Sequence, residues 1–211
     1  SYKFAGLDNT GQTLIEDPKQ PGRILNVSEF QYFDIMEYSG RTASPYYGAY
    51  SSSISYKQFS FGFQFQYAFG GVFRKPSVTE NSVYVSRAGD LGMRWRKPGD
   101  ELFTNVPTIN TDFNQGYYYA NSIIRYSESD YLIRSRSNIK LQQINLSYAL
   151  PQRLLKPIGV KGLTLSAVCR NLGLIWTANK ERIDPDYVYN TGNTFQLAPV
   201  RSYSFQLNLS L

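Results

Sequence analysis

Aromatic and polar residues alternate along residues 59 to 69, which read FSFGFQFQYAF. An aromatic ring stands at every odd position of this segment, and Ser, Gly, Gln or Ala stands at every even position. A helix would scatter these rings around its circumference, whereas a β-strand directs all of them to one face. The segment is therefore predicted to be a strand with one aromatic face and one polar face.

Five segments carry alternating patterns of this kind, and we predict a strand for each of them. They cover residues 46–56, 59–73, 137–150, 163–177 and 201–211. In the last segment every odd residue from Tyr203 to Leu211 is apolar, and every even residue is Ser, Gln or Asn. No window of comparable quality indicates an amphipathic helix, so the sequence predicts an all-β protein.

Only residues 57 and 58 separate the first two predicted strands, which indicates a hairpin with a two-residue turn. Such a turn fixes the register, and here it places apolar residues of the two strands opposite each other on one face. The predicted pairs are Tyr56 with Phe59, Ile54 with Phe61, and Tyr50 with Phe65. The hairpin register thus agrees with the pattern of both strands.

The connections between the predicted strands alternate in length. Residues 57–58 and 151–162 are predicted to be short turns, whereas 1–45, 74–130 and 178–200 are predicted to be long loops. Loops this long are uncommon inside a compact soluble domain. Short periplasmic turns at one end of the strands and long extracellular loops at the other are typical of an outer-membrane barrel.

A soluble β-sandwich is the alternative fold, because its strands also alternate polar and apolar residues. Two features of the predicted faces favour the membrane barrel. Amides and hydroxyls follow whole strands on the polar face, and Tyr and Phe end the apolar face as they do in membrane girdles. If the odd residues of 59–69 face lipid, they should be exposed in the structure of the protein alone.

The overall composition excludes several classes of protein. The 211-residue chain has a net charge of +6, but its Lys and Arg residues are spread along the sequence, so no nucleic acid is expected as a partner. Aromatic residues make up 16%, too many for a disordered chain, and no apolar run approaches the ~18 residues of a transmembrane helix. The N-terminal SYKFAGLDNTGQ lacks the regions of a signal peptide, so the protein either stays where it is made or is a mature or partial chain.

The reactive side chains are few. The chain has no histidine, the commonest general base and metal ligand, and only one cysteine. Cys169 lies on the apolar face of its predicted strand, where it is expected to be a small apolar residue facing lipid. We therefore expect neither an enzyme, nor a metal site, nor a cofactor.

Five segments, taken in order, carry a family resemblance that reaches both ends of the chain. They are YKFAGLDNTGQ (2–12), SPYYGAYSSSISYKQFSFGFQFQYAFGG (44–71), YLIRSRSNIKLQQINLSYALPQRLL (131–155), CRNLGLIWTANKERIDPDY (169–187) and APVRSYSFQLNLSL (198–211). These segments resemble motifs of the SusC-like (SusC/RagA-type) TonB-dependent outer-membrane transporters. Two positions depart from the family pattern: the chain ends in Leu211 instead of an aromatic residue, and Gln58 replaces the usual glycine of the turn.

The resemblance implies that residues 1–211 are the C-terminal part of an antiparallel transmembrane β-barrel. Such barrels have about 22 strands and a plugged lumen, so these five strands would be completed by the remaining barrel and plug polypeptide. The family imports glycan oligosaccharides or peptides actively across the outer membrane of Gram-negative bacteria. It implies as partners a SusD-like surface lipoprotein that caps the barrel, the TonB complex, acting through an upstream region, and outer-membrane lipid.

Loop residues supply the candidate sites for a ligand or a partner protein. Trp95 stands between Arg94 and Arg96, and aromatic and Arg side chains are the usual anchors of an interface. A loop that packs on its own barrel rim explains the same residues. Tyr187 and Tyr189 are expected to line the entrance.

Two residues of the fourth predicted strand, Arg170 and Asn171, are candidates for the lumen wall. Arg170 falls on the polar face, where a charge is tolerated. In the loop that follows, Asp184 and Asp186 are spaced as Ca²⁺ ligands can be, but a turn built from Asp and Pro accounts for them better.

Two other functions would use the same pattern. A surface adhesin or glycan-binding β protein would present Tyr-rich loops without transport, and a passive porin-like channel would share the barrel without a plug or TonB dependence. A requirement for detergent in extraction separates the first from the membrane proteins. A plug domain upstream separates the second, and the cargo itself is not identified by these residues.

Overall fold

The computed structural model describes residues 1–25, 35–78, 88–109, 116–188 and 198–210, and the chain within them forms two units. Unit 1 consists of Ser1–Arg41 and Val72–Arg134, and unit 2 of Thr42–Gly71 and Ser135–Leu211. In chain order the elements are β1 (Lys3–Leu7), β2 (Thr13–Glu16), β3 (Ile24–Leu25), β4 (Tyr46–Tyr56), β5 (Phe59–Phe69), β6 (Val72–Arg74), α1 (Ala88–Gly92), α2 (Gly116–Ser127), β7 (Ile133–Ser135), β8 (Asn138–Ala149), α3 (Gln152–Leu155), β9 (Gly162–Thr177) and β10 (Ser202–Ser210). Among the described residues, no helix is long and apolar enough to cross a membrane.

Unit 2 is built on a five-stranded antiparallel sheet with the strand order β10-β9-β8-β5-β4. Each predicted strand is present within one residue of its predicted bounds, with one exception. The segment 59–73 divides into β5 and β6 because Gly70 and Gly71 adopt φ angles of 75° and 74°, which interrupt the extended chain. The all-β prediction is thus confirmed, and so is the antiparallel arrangement.

The β4–β5 hairpin has the register that the sequence predicts. Its two-residue turn uses Lys57 in the left-handed region, with φ 54°, and all three predicted pairs are observed. The same register continues through the sheet. One row contains Ile54, Phe61, Leu146, Ala167 and Phe205, and the next contains Ser53, Gly62, Asn145, Val168 and Ser204. The sheet therefore has an apolar face and a mainly polar face.

No protein covers the apolar face of this sheet in the part of the chain that the structure describes. Of the six rings between Phe59 and Phe69, none is buried, and Phe59 is 53% exposed. In β10 every described residue is exposed, and Phe205 reaches 86%. Phe59, Phe61 and Phe69 are exposed, as predicted, whereas Phe63, Phe65 and Tyr67 are half-buried, and none of the six belongs to a hydrophobic core among the described residues.

Unit 1 has a hydrophobic core of its own. It contains most of the two predicted long loops 1–45 and 74–130, and both of them include regular structure. Strands β1, β2 and β3 form a sheet within residues 1–45, and α2 extends over twelve residues within 74–130. The sequence pattern predicted no helix, and this prediction is wrong for residues 116–127, which form α2. Helix α2 buries Ile123 and Tyr126, and Ser122 accepts a hydrogen bond from the Thr13 backbone N–H at 2.7 Å.

The core of unit 1 consists of two small clusters of buried side chains. One contains Tyr2, Ile15, Leu25 and Ile35, and the other contains Val78, Val106, Tyr126 and Leu132. The Tyr126 ring lies 6.1 Å from that of Phe4, and its hydroxyl is hydrogen bonded to the Ser77 hydroxyl at 3.0 Å. Burial raises the pKa of Tyr126 and outweighs the opposing effect of the Ser77 hydrogen bond, so the phenol stays protonated.

Irregular backbone at the end of the sheet where β8 begins distinguishes this end from the turn end. The β8–β9 pairing shifts register between Ile139 and Lys140 and again between Leu141 and Gln143. Within β9, Asn171 and Gly173 have φ angles of 57° and 96°. Such bulges bend a strand and change which side chains share a face. At the opposite end the predicted turn 151–162 folds into α3 and a short 3₁₀ turn.

Candidate functional site

A shallow depression of about 410 Å³ lies on the polar face of the unit 2 sheet. Four glutamines, Gln64, Gln66, Gln142 and Gln143, line it together with Arg170. Amide groups donate and accept hydrogen bonds, and the guanidinium adds five donors. The depression thus suits a polar ligand or a polar protein surface.

The bulges in β8 bring these amides together. Gln143 pairs with Gln64 and Leu141 pairs with Phe65, which leaves Gln142 as the extra residue between them. The Gln142 amide donates to the Gln66 side-chain oxygen at 2.6 Å. Two consecutive glutamines therefore line the same depression, which strict alternation would not allow.

Arg170 and Asn171, the two predicted wall residues, both line this depression. Arg170 is exposed, and its Nε donates to the Gln143 oxygen at 3.1 Å. Asn171 donates through Nδ2 to the backbone oxygen of Val200 at 3.1 Å. The guanidinium keeps most of its donors available, since only Nε has a side-chain acceptor among the described residues.

A charged cluster fixes the loop that follows β9. Lys140 is 5% exposed, and its Nζ lies 2.7 Å from Asp184 Oδ1 and in contact with Asp186 Oδ2. Arg136 Nη2 lies 3.3 Å from Asp186 Oδ1. Both carboxylates therefore form ion pairs with the same lysine, and this pairing accounts for their spacing without a metal ion. Among the described residues, no group of His, Cys, Asp and Glu side chains could hold one.

The electrostatics of Asp186 follow from this pairing. Partial burial on its own would raise the pKa of Asp186. Hydrogen bonds and charge from Lys140, followed by those from Arg136, outweigh it, and the pKa lies below its ordinary value. The carboxylate is ionised at neutral pH and holds the loop to the sheet.

Tyr187 belongs to the same cluster. Its ring lies over Lys140, with Nζ 4.9 Å from the ring centroid, in a cation–π contact. Tyr187 is half-buried, so one part of the ring remains accessible. Its predicted neighbour, Tyr189, lies outside the described residues.

The predicted Arg94–Trp95–Arg96 anchor lies in unit 1 and packs on its own loop. Trp95 is half-buried, and its Nε1 donates to Glu101 Oε2 at 2.9 Å. Arg94 and Arg96 donate to backbone oxygens of α1, those of Leu91 and Gly92. These contacts hold the three side chains within residues 91–101.

Sequence reasoning missed Lys140 and Gln142, whereas Gln64, Gln66 and Gln143 lie on the polar faces that alternation predicts. Lys140 is a lysine within an otherwise regular strand, and Gln142–Gln143 breaks the alternation, so both signals were present in the sequence. The partner of Lys140 lies 44 residues away at Asp184, and sequence spacing gives no indication of that contact.

Gly11 supplies a test of how Trp95 is held. A Cβ at Gly11 would overlap the Trp95 ring, and Gly11 also has a φ of 78°. Gly11→Ala should therefore lower the free energy of local opening around Trp95 by ~2–4 kcal/mol, from backbone strain and overpacking together. Hydrogen exchange of residues 88–109 in the full-length protein measures this.

Gly6→Ala is the matched control, because Gly6 has a φ of 101° but open space around its Cβ. This substitution should lower the free energy of local opening at β1 by the backbone strain alone, about 1–2 kcal/mol. Equal effects of the two substitutions on residues 88–109 would show that the Trp95 ring does not depend on Gly11.

Comparisons with known proteins show a likeness of fold. No protein family model matches the chain, and neither does any curated protein. The RagAB peptide importer in the "open-open" state matches 100% of this chain with a TM-score of 0.70 and 20% identity. The RagAB peptide transporter matches 98% of this chain with a TM-score of 0.65 and 19% identity. The importer in the "closed-closed" state matches 98% of this chain with a TM-score of 0.63 and 20% identity.

The chain spans only about a fifth of the length of these proteins, 22%, 21% and 22% of the respective chains. At this level of identity the likeness concerns the fold alone. It extends over both units of the chain, and it agrees with the mainly antiparallel β architecture.

Proposed function

We propose that the chain is the C-terminal barrel portion of a SusC-like TonB-dependent transporter, integral to the outer membrane of a Gram-negative bacterium. It would import glycan oligosaccharides or peptides, with a SusD-like lipoprotein as its lid and TonB as its energy source. The observation that carries the proposal is the five-stranded sheet with an uncovered aromatic face and a polar face opposite. The likeness to the RagAB peptide importer over the whole chain supports it.

The dimensions of the sheet support a membrane position. Strands β4 and β5 each have 11 residues, and at ~3.4 Å per residue and a tilt of ~45° they span ~25 Å. That height matches the apolar band of outer-membrane barrels, about 25 Å. Rings lie at both ends of the apolar face: Phe59 is 4.5 Å from Tyr148, and Phe69 is 6.3 Å from Trp176. They would form the two interfacial girdles.

The two edge strands of the sheet indicate that further strands are needed to complete it. Strands β4 and β10 each have one neighbour among the described residues. Unpaired backbone groups are too costly in lipid, so a membrane sheet must continue at both edges until it closes. The remaining barrel polypeptide would supply those strands, and the plug would face the amide-lined depression.

In this mechanism the chain performs no covalent chemistry. The apolar face holds the sheet in lipid, and the amides and Arg170 line the path or its plug. Tyr187, Tyr189 and the Arg94–Trp95–Arg96 loop would lie on the outer side, towards the substrate and the lid.

Uptake by the full-length transporter tests the proposal. A deletion strain to which the gene has been restored should take up labelled oligopeptides or oligosaccharides. Removal of TonB or of the proton gradient should abolish this uptake. Uptake that persists without TonB would indicate a passive channel. Surface binding without any uptake would indicate an adhesin.

Arg170 provides a more local prediction. Arg170→Ala removes charge-assisted donors from the depression, and a net loss of about 1.4 kcal/mol corresponds to tenfold. We expect uptake of carboxylate-bearing substrates at low concentration to fall three- to tenfold. Arg201→Ala is the control, because Arg201 is also exposed but does not line the depression. Wild-type uptake by the Arg170 variant would exclude the depression from the path.

A further inference from the structure

A shallow apolar depression of about 410 Å³ lies on the apolar face of the unit 2 sheet and follows β9. It arises because Ala167 is small and stands between Leu146 and Phe205, its partners in β8 and β10. The next row towards the turn 151–162 adds Tyr148, Leu165 and Leu207. We call this depression the furrow. Its volume lies within the ~300–1,000 Å³ range of small-molecule sites.

The turn that joins β8 to β9 places cations at one end of the furrow. It contains Arg153, Lys156 and Lys161, and all three are exposed. Lys161 lies directly before β9, and its backbone N–H donates to the Ser210 oxygen at 2.9 Å. The cations and the furrow therefore meet where β9 begins.

The neighbouring turn adds a fourth cation on the apolar face. One row of the sheet runs from the furrow residues Leu207, Leu165 and Tyr148 to Phe59 and Tyr56. Lys57 follows Tyr56, and its Nζ lies 5.2 Å from the centroid of the Tyr56 ring. A lysine at the border of an apolar surface lays its stem along that surface and keeps its ammonium in the polar region.

No acidic side chain balances these cations. Residues 42–71 and 135–177 contain neither Asp nor Glu, so every carboxylate side chain of unit 2 follows β9. None of the four cations forms an ion pair with a carboxylate of the described residues. The turn end of the sheet is therefore positive, and its charge complements an anion.

An apolar furrow that ends at exposed cations fits one ligand chemistry, an acyl chain joined to a phosphate. Basic clusters at a membrane surface attract anionic lipid headgroups. Inside a membrane the furrow adds close packing rather than hydrophobic energy, because the surrounding lipid is already apolar. A second copy of the chain in the same membrane would bring its own positive turn end to the same level, and like charges oppose that contact.

We propose that the furrow and the turn 151–162 bind an anionic phospholipid of the membrane leaflet that the turns face. One acyl chain would lie along β9, with the phosphate at Arg153, Lys156 and Lys161. The proposal rests on the proposed function, since it requires the apolar face to lie in a membrane.

The test uses the full-length protein, purified in detergent, stripped of lipid and titrated with dioleoylphosphatidylglycerol or dioleoylphosphatidylethanolamine. Native mass spectrometry measures the Kd of the tightest bound lipid. The wild-type protein should prefer the anionic lipid about thirtyfold, which corresponds to about 2 kcal/mol and to two effective cations. Arg153→Gln, Lys156→Gln and Lys161→Gln together should reduce this preference to about threefold or less and leave the affinity for the zwitterionic lipid unchanged.

The matched control for the cations removes three others from the opposite end of the sheet. Lys180→Gln, Arg182→Gln and Arg201→Gln together change the net charge equally, and all three residues are exposed. This variant should keep the wild-type preference. An equal loss in the control, or a wild-type protein without any preference, would overturn the proposal.

The furrow is tested by Ala167→Phe, whose ring would fill it. Binding of both lipids should weaken about threefold or more, because the chain loses its packing against β9. Ser52→Phe is the control, since Ser52 pairs with Phe63 in the apolar face but belongs to β4, three strands away from β9. Variants are compared only in their assembled, heat-modifiable form, and the cation variants decide the question if the Ala167 variant does not assemble.

Two outcomes separate the lipid site from the proposed function. If the protein assembles in the outer membrane and imports substrate but shows no preference for the anionic lipid, the lipid site alone is wrong. If the protein is extracted without detergent, the membrane position is wrong, and the lipid site falls with it. A dimer that carries no lipid and that Ala167→Phe dissociates would show that a second copy covers the furrow, which also overturns the proposal.

Discussion

Under the proposed function, Phe63→Arg is expected to prevent the full-length protein from assembling in the outer membrane, whereas Gln64→Arg should assemble normally. The two residues are neighbours in the middle of β5 but lie on opposite faces of the sheet. A charge on the lipid face near the midplane costs ~2–4 kcal/mol, and lumen-facing substitutions mainly tune selectivity. Phe63 also packs against Phe61 and Phe65, at centroid distances of 6.0 and 5.1 Å, and arginine would lose those contacts.

The measurement is the fraction of protein that is folded in isolated outer membranes, read from the heat-dependent shift on a gel, together with urea titration in vesicles. The Gln64 variant controls for the presence of arginine in the strand. Equal assembly of both variants would show that the aromatic face does not meet lipid, and the proposed membrane position would be wrong.

Lys140→Met is expected to release residues 184–188 from the sheet. Losing one partner of a buried ion pair costs about 3–5 kcal/mol. Here Asp184 and Asp186 side chains are 23% and 41% exposed, so solvent screening should reduce the cost to about 1–3 kcal/mol. The amide of Tyr187 should then exchange roughly 5- to 150-fold faster in the full-length protein, since each 1.4 kcal/mol is tenfold.

The same experiment contains an internal reference. Asn179 and Ile183 bond to each other twice, through Ile183 N to Asn179 Oδ1 at 2.7 Å and through Asn179 Nδ2 to the Ile183 oxygen at 2.8 Å. The Ile183 amide should therefore keep its protection in the Lys140 variant. Lys180→Met serves as the control, because Lys180 is exposed in the same loop and forms no ion pair with a described residue. Unchanged exchange at Tyr187 would show that the lysine is not what holds the loop.

The pH dependence has a defined sign. The pKa of Asp186 is lower in the folded protein than its ordinary value of 3.8. Its contribution to loop stability is therefore complete above that ordinary value and is lost as the pH falls through the lowered one. We expect the loop to loosen only in strongly acidic solution and to be unaffected between neutral pH and about pH 5.

The five long strands could be predicted from sequence because a periodicity of two persists over 9 to 11 residues in β4, β5 and β10, and over shorter stretches on either side of the bulges in β8 and β9. The strands of unit 1 are different. They have only 5, 4 and 2 residues, too few for a period to be visible. Helix α2 was missed because its stretch GYYYANSIIRYS is short and rich in Tyr and Ile, residue types that also favour strands. Tertiary contacts of Ser122, Ile123 and Tyr126 determine that segment.

The candidate site was predictable only as far as alternation holds. Arg170 could be placed on the polar face by counting in twos along its strand. The same counting fails in β8, because the extra residue Gln142 changes the parity of the polar face from even at Asn138 and Lys140 to odd at Gln143. The contact between Lys140 and Asp184 depends on how a loop folds back, which no local pattern encodes.

The order of segments along the chain has a consequence for folding. Strands β5 and β8 pair directly, yet residues 70–137 separate them, and most of unit 1 lies in that insertion. The hairpins β4–β5 and β8–β9 close over short connections and should form early, whereas the β5–β8 pairing must first bring distant segments together. Joining the two hairpins is then the slow step. A substitution that weakens the core of unit 1 should therefore delay assembly of the sheet without disturbing the finished strand register.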